Sequence, residues 1–438
     1  MMDSKLGFLK PSPPIDLQID IDHHYSSKTY NCGSAVTGNL LFTPRKDTPF
    51  ESIRVSLLGT ATVTRDDIEF AKTTTHHFLR TDMPVPASAY PESKIFQAGH
   101  AYSIPFHFII PYHLTVNACT HKVDSHDVRN AHSRLPPSMD DCERQHTGPR
   151  TTVIEYGIYT AIDVQCGGRN KEPKLIGKKH VINVLPYFPE DPPLNIPQMS
   201  LEYAVEKTKR IRKNIFSSPD GRITAVALQP KAISIGPDGY GSSESAILID
   251  LAFEPRSPDI QPVSVSSISA SLHMQTWSRQ APSIAFPNLG LLRDAYTDYI
   301  TLYSRKEIQA SWMSSPKETR ADGESSSTIS YSSSIRVPFK LPASKKVFLP
   351  TFHTCLVSRT YKIQLCLAIG NTKLRFMVPL QVSMENGKPY LNGYGEDCSL
   401  GSATASMDMS RRESYLVQEL WPLVSRGSEN DVLPGYLD

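Results

Sequence analysis

The residues best equipped for chemistry fall in two places. In "FLPTFHTCLVSRTYKIQLCL", residues 348–367, His353 stands two positions before Cys355, and a second thiol follows at Cys366. Residues two apart on an extended strand share a face, so His353 and Cys355 can meet, which is the first requirement of a thiol nucleophile. The second is a thiol pKa lowered by a held imidazole or a helix N-terminus. The stretch offers no third residue to orient the histidine and no loop of oxyanion donors, whereas free cysteine packs well as a small hydrophobe. Both residues are therefore read as the interior of a sheet, and no catalytic residue is assigned.

The second place lies between residues 119 and 146, where Cys119, His121, His126, His132, Cys142 and His146 are all potential zinc ligands. Structural zinc sites usually show ligand pairs a few positions apart. Cys119-x-His121 is too tight for such a pair, and the His121/His126 and Cys142/His146 spacings fit loosely. The segment 117–150 reads as a polar loop with solvated histidines, and no metal or cofactor is assigned. Phosphate-loop, H-E-x-x-H, C-x-x-C and G-x-S-x-G patterns do not occur in the chain.

The elements that must position these residues are strands. In "IDLQIDID", Ile15, Leu17, Ile19 and Ile21 alternate with polar residues, which puts every apolar side chain on one face. The same period returns at Ile53, Val55 and Leu57, at Ile104, Phe106 and Phe108, and in "IEYGIYTAIDV" from Ile154. Further stripes run through Ile247–Phe253, Ile268–Met274 and Ile335–Leu341. Tyr361–Ile369 and Leu374–Val382 alternate about the turn "GNTK" and read as a hairpin. With 35 prolines and little helical periodicity, the chain reads as all-β, with sheet packed on sheet.

Two blocks of strands are expected, 15–187 and 222–384, after an N-terminal extension 1–14. A proline-rich linker, 188–221, separates them, and a flexible tail spans 385–438. Within the linker, "SLEYAVEKTKRIRK" fits a short helix or an edge strand, and the serine-dense "SSPKETRADGESSSTISYSSS" (314–334) reads as a mobile loop. Gly33 and Gly38 suit turn or bulge positions beside a strand, and Pro105 and Pro111 bracket an edge strand. The 46 basic and 44 acidic residues leave a net charge of +2, which gives no global argument for nucleic acid or an anionic membrane. Seven cysteines, an odd number, fit a reducing compartment. No apolar run resembles a signal peptide or a membrane span, so the protein is expected to be soluble and cytoplasmic.

The succession "YNCGSAVTGNLLF", "IRVSLLGTATV", "AGHAYSIPFHFIIPYHL", "HSRLPPS" and "IEYGIYTAIDV" resembles the N-terminal domain of arrestin-like proteins of the fungal α-arrestin type. Arg359-x-Tyr361-x-Ile363 is similar to the late hairpin of their C-terminal domain. The resemblance covers roughly residues 15–385. It implies two immunoglobulin-like β-sandwiches, no active site, and an adaptor that links membrane transporters or receptors to ubiquitin ligases, endocytosis and trafficking. Such a protein is cytoplasmic and is recruited to the plasma membrane or endosomes. A scaffold resembling the arrestin-fold subunit of retromer, with no ubiquitin link, is the alternative of the same fold, and a thiol enzyme using Cys355 and His353 is the alternative of another class.

Two segments could carry partner binding. The run Lys207, Lys209, Arg210, Arg212 and Lys213 is either a solvated face or a cationic patch for acidic or phosphorylated cargo tails, which arginine forks match well. Near the C-terminus, Leu433, Pro434 and Tyr436 form a Leu-Pro-x-Tyr segment. In the family such segments dock WW domains of HECT-type ubiquitin ligases, and proline pre-sets the extended turn that those domains recognise.

Overall fold

The computed structural model describes residues 15–385, apart from 67–70, 140–151, 166–173, 198, 213–215, 238, 240, 288–294, 309, 322–323 and 344–346. Strand β1 (Ile15–Ile21) shows why the chain folds as it does. Its four apolar residues are buried and the residues between them are exposed, so one pleated face is dry and the other wet. The same alternation shapes β3 (Ala35–Pro44) and β7 (Tyr102–Ile109), and this half also contains β2 (Thr29–Tyr30), β4 (Thr48–Asp66), β5 (Ala71–Met83), β6 (Ile95–Phe96), β8 (Thr152–Val164) and β9 (Lys174–Val184). A single described α-helix, α1 (His126–His132), interrupts this half. In the second half follow β10 (Glu206–Ile211), β11 (Gly221–Ala227), β12 (Ile233–Ile235), β13 (Glu244–Pro255), β14 (Val265–Ser278) and β15 (Ala295–Ile308). They are succeeded by β16 (Met313–Ala321), β17 (Glu324–Lys340), β18 (Phe352–His353), β19 (Val357–Ile369), β20 (Thr372–Leu380) and β21 (Val382–Met384).

The first nine strands make a three-stranded sheet, β1-β3-β7, and a six-stranded sheet, β2-β9-β8-β4-β5, with β6 on β4. The others make a five-stranded sheet, β10-β11-β13-β17-β16, a second, β15-β14-β19-β18, with β20 on β19, and the parallel pair β12-β21. Apart from β2-β9 and β12-β21 the pairings are antiparallel. The protein is therefore all-β, as the alternation indicates. Buried apolar side chains of both halves join one continuous core running from Ile15 to Met384.

The local structure adds detail to these expectations. Within 188–221, the edge strand of the two alternatives forms as β10, which pairs with β11, and Ala204 and Phe188 bridge to Met377 and Met384. The serine-dense stretch 314–334 is the β16-β17 hairpin, in which Ser315 pairs with Ser330 across the ladder. Serine carries no apolar stripe, so the period-two signal is silent there although the backbone ladder forms. Gly38 lies inside β3 rather than beside it, opposite Ile21 and Phe106. A Cβ there would meet the Asp20 carbonyl oxygen at 2.1 Å. Gly33 is in the left-handed region at φ +81°, as a turn position requires. No helix among the described residues is long and apolar enough to cross a membrane.

Candidate metal centre and basic edge

The expected polar loop around residue 119 contains α1. Ser125 caps the helix by accepting a hydrogen bond from the Val128 N–H, and Arg129 and His132 lie in its last turn, where the helix dipole favours cations. Val128 and His132, four apart, form the buried face. That face carries His132 to Cys119, with Nδ1 3.5 Å from Sγ. His121, two residues beyond Cys119, presents Nδ1 at 3.8 Å from the same sulfur, while its Nε2 is 3.0 Å from the Ser283 carbonyl oxygen. Arg129 fastens this piece of chain: its guanidinium donates to the carbonyls of Cys119 and His121 and lies 3.7 Å from Cys119 Sγ.

The fourth member comes from the other half of the molecule. Strand β18 ends at His353, and the chain turns through Thr354, which holds Val357 through backbone and side-chain bonds. His353 and Cys355 therefore do not share one strand face. Cys355 points instead toward Ala118 and Cys119, with Sγ 3.8 Å from the Ala118 carbonyl oxygen. One donor atom each from Cys119, His121, His132 and Cys355 lies within 4.8 Å of all the others, and only His121 is not fully buried.

Burial dominates the electrostatics. It pushes the Cys355 thiol up to about 12, with the Cys119 thiol beside it contributing. Burial also pushes His132 down to about 4, helped by His121, Arg129 and His76. A protonated, enclosed thiol is a poor nucleophile. His353 stands outside the cluster, its ring edge-on to Phe286 at 4.8 Å and its Nδ1 buried without a hydrogen-bond partner. Burial, then His132, holds it down at about 3. His126 is exposed on α1 and pairs with Asn130. Cys142 and His146 lie outside the described residues.

The basic run of the sequence becomes an edge. Strand β10 ends its sheet, and Lys207, Lys209, Arg210 and Arg212 are exposed, while Lys213 lies outside the described residues. Lys207 and Lys209 pair with Ala225 and Ile223 on the core-facing side; Arg210 pairs with Arg222 on the outer side. Like charges directly opposite destabilise a ladder. Arg222 is partly compensated by Glu254, 2.9 Å away. A surface depression of about 370 Å³ opens here, lined by Arg210, Arg222, Arg256 and Glu254 with Pro219, Gly221 and Pro255. Three arginines against one glutamate make it electropositive.

No protein-family model matches the chain, and no curated protein matches it.

Sequence reasoning found Arg210 but not Arg222 and Arg256, which are isolated in sequence and meet it only through the β10-β11-β13 pairing. Cys119, His121 and His132 are close together in sequence and Cys355 is far from them, and ligand-spacing rules see only neighbours. Leu433, Pro434 and Tyr436 lie outside the described residues.

Proposed function

We propose that this chain is a non-enzymatic, arrestin-like adaptor of two immunoglobulin-like β-sandwiches that binds acidic or phosphorylated cytoplasmic tails of membrane transporters or receptors. The observation that carries the reading is the arginine-lined depression beside β10, which among the described residues is the last strand of its sheet. Arg210 opposite Arg222 is a local cost to folding, and an anion between them relieves it. Arginine forks suit phosphate and carboxylate groups, and an extended tail can add to an unpaired strand edge through its own backbone. Lys207 and Lys209 continue the positive charge along that edge. The burial and high pKa of the Cys355 thiol favour this reading over a thiol enzyme. In the proposed scheme Leu433, Pro434 and Tyr436 recruit a WW-domain ubiquitin ligase, and the protein acts from the cytoplasm at the plasma membrane or endosomes.

The test is fluorescence anisotropy of a labelled acidic peptide bearing phosphoserines, titrated with the full chain. Each charge-assisted hydrogen bond is worth about 1.5–3 kcal/mol, so Arg210→Glu combined with Arg256→Glu is expected to weaken binding at least about tenfold. The unphosphorylated peptide should bind less tightly. Equal affinity of the parent chain and the charge-reversed variant refutes the assignment of this surface.

A further inference from the structure

We propose that Cys119, His121, His132 and Cys355 hold one zinc ion in a closed, four-coordinate structural site that fastens the two halves of the chain. None of the four residues belongs to the surface proposed to bind cargo or to the proposed ligase-docking segment.

The donor set comes first. Two thiolates and two imidazoles in a tetrahedral arrangement suit zinc. Zinc–sulfur and zinc–nitrogen bonds of about 2.3 and 2.05 Å place tetrahedral ligand atoms about 3.3–3.8 Å apart. Cys119 Sγ lies 3.5 Å from His132 Nδ1 and 3.8 Å from His121 Nδ1, and the full set spans no more than 4.8 Å. Closing the widest of these separations needs a movement of about an ångström, within reach of side-chain rotation at these bond lengths.

The surroundings point the same way. A zinc-bound histidine usually gives its other ring N–H to a carbonyl, which fixes the ring and its tautomer. His121 is placed to do this through Nε2 and the Ser283 carbonyl, which leaves Nδ1, 3.8 Å from Cys119 Sγ, free to bind the ion. Arg129 directs an N–H toward Cys119 Sγ, a contact suited to a thiolate. Zinc binding deprotonates both thiols and releases two protons to solvent. The two thiolate charges then balance the dication, so the buried centre is neutral. Four protein donors leave no open position for water, as expected of a structural rather than a catalytic site. A Cys119–Cys355 disulfide would tie the same segments but would leave the converging His121 and His132 without a role.

The ion would join the segment around α1 to the turn before β19, where Ala118 and Cys355 are 237 positions apart. Closing so long a loop restricts the unfolded chain, so the metal should stabilise the fold as well as the site.

The experiment uses the full chain purified and kept under thiol reductant, with zinc measured by elemental analysis after gel filtration. The expected result is one equivalent per chain. Cobalt(II) exchanged into the site should show the visible bands of tetrahedral thiolate coordination. Cys119 and Cys355 should resist alkylation until a chelator is added. Cys355→Ser should weaken zinc binding about 100-fold or more, whereas His126→Ala and Cys366→Ser should leave it unchanged. If Cys355→Ser does not fold, the chelator-dependent alkylation of the parent chain decides the question. Overturning results are a folded chain that takes up no stoichiometric zinc on reconstitution, or zinc binding unaffected by Cys355→Ser. A Cys119–Cys355 disulfide persisting in reductant would overturn it equally.

Discussion

Replacing Lys362 with methionine tests how the segment leading into the basic edge is held. Lys362, on the central strand β19, lies 3.5 Å from a Glu202 carboxylate oxygen, and the two side chains are only 8% and 10% exposed. At an effective dielectric of about 20, that separation gives about 5 kcal/mol of attraction, opposed by the desolvation of both ions. Removing the lysine leaves a buried carboxylate with only the Tyr203 hydroxyl to support its charge, a loss of up to about 3–5 kcal/mol. Burial already raises the Glu202 pKa, and Lys362 partly offsets it, so Lys362→Met should raise it further. A carboxyl whose folded pKa exceeds its unfolded value of about 4.3 holds its proton longer when folded. Its contribution to stability is therefore full below that value and is lost as pH rises through the folded pKa. The variant should fall further behind the parent between pH 5 and pH 8, by about 1.4 kcal/mol for each unit of added pKa separation. Urea unfolding at the two pH values, with m unchanged, is the assay. His273 pairs with Lys362 in the ladder and is held down by burial and by that lysine, so it also titrates differently in the variant. Glu202→Gln with Lys362→Met carries the same His273 change, isolates the Glu202 slope, and should recover most of the loss. A deficit under about 1 kcal/mol with no pH dependence beyond that of the double variant would refute the account of a buried, energetically coupled pair.

Two further outcomes are expected. Gly38→Ala should destabilise the chain by about 3 kcal/mol or more by urea unfolding, because the nearest obstacle to its Cβ is the Asp20 backbone carbonyl rather than a movable side-chain end; a loss under 1 kcal/mol would show that β1 and β3 can separate at little cost. A peptide covering residues 427–438, titrated against WW domains, should bind, and Tyr436→Ala should abolish binding; equal binding of both peptides, or none by either, removes the proposed ligase link.

The all-β class was legible because period-two alternation is a local property. Ile15 to Ile21 and Leu374 to Val378 each specify a dry and a wet face whatever lies beyond them. Pro105 likewise marks β7 as the edge of its sheet without reference to its neighbours. The signal failed where side chains do not alternate in polarity, as in β16 and the serine-rich first part of β17, and where both faces are covered. Strand β19 is the instructive case: Ser358, Arg359, Thr360 and Lys362 are buried although they read as polar strand positions. Glu202 covers Lys362 on the face the sequence assigns to solvent, while Arg359 lies on the opposite face with Tyr361 and meets Met139 there.

The candidate sites divide in the same way. The sequence alone identified Lys207, Lys209 and Arg210 as a cationic run and Cys119, His121 and His132 as ligand types close together. Tertiary structure alone added Arg222 and Arg256 to the first and Cys355 to the second, and moved His353 away from the thiol with which its spacing pairs it. The physical reason is that residue type and local period determine which way a side chain points, whereas sheet pairing and the docking of one half on the other determine what it meets.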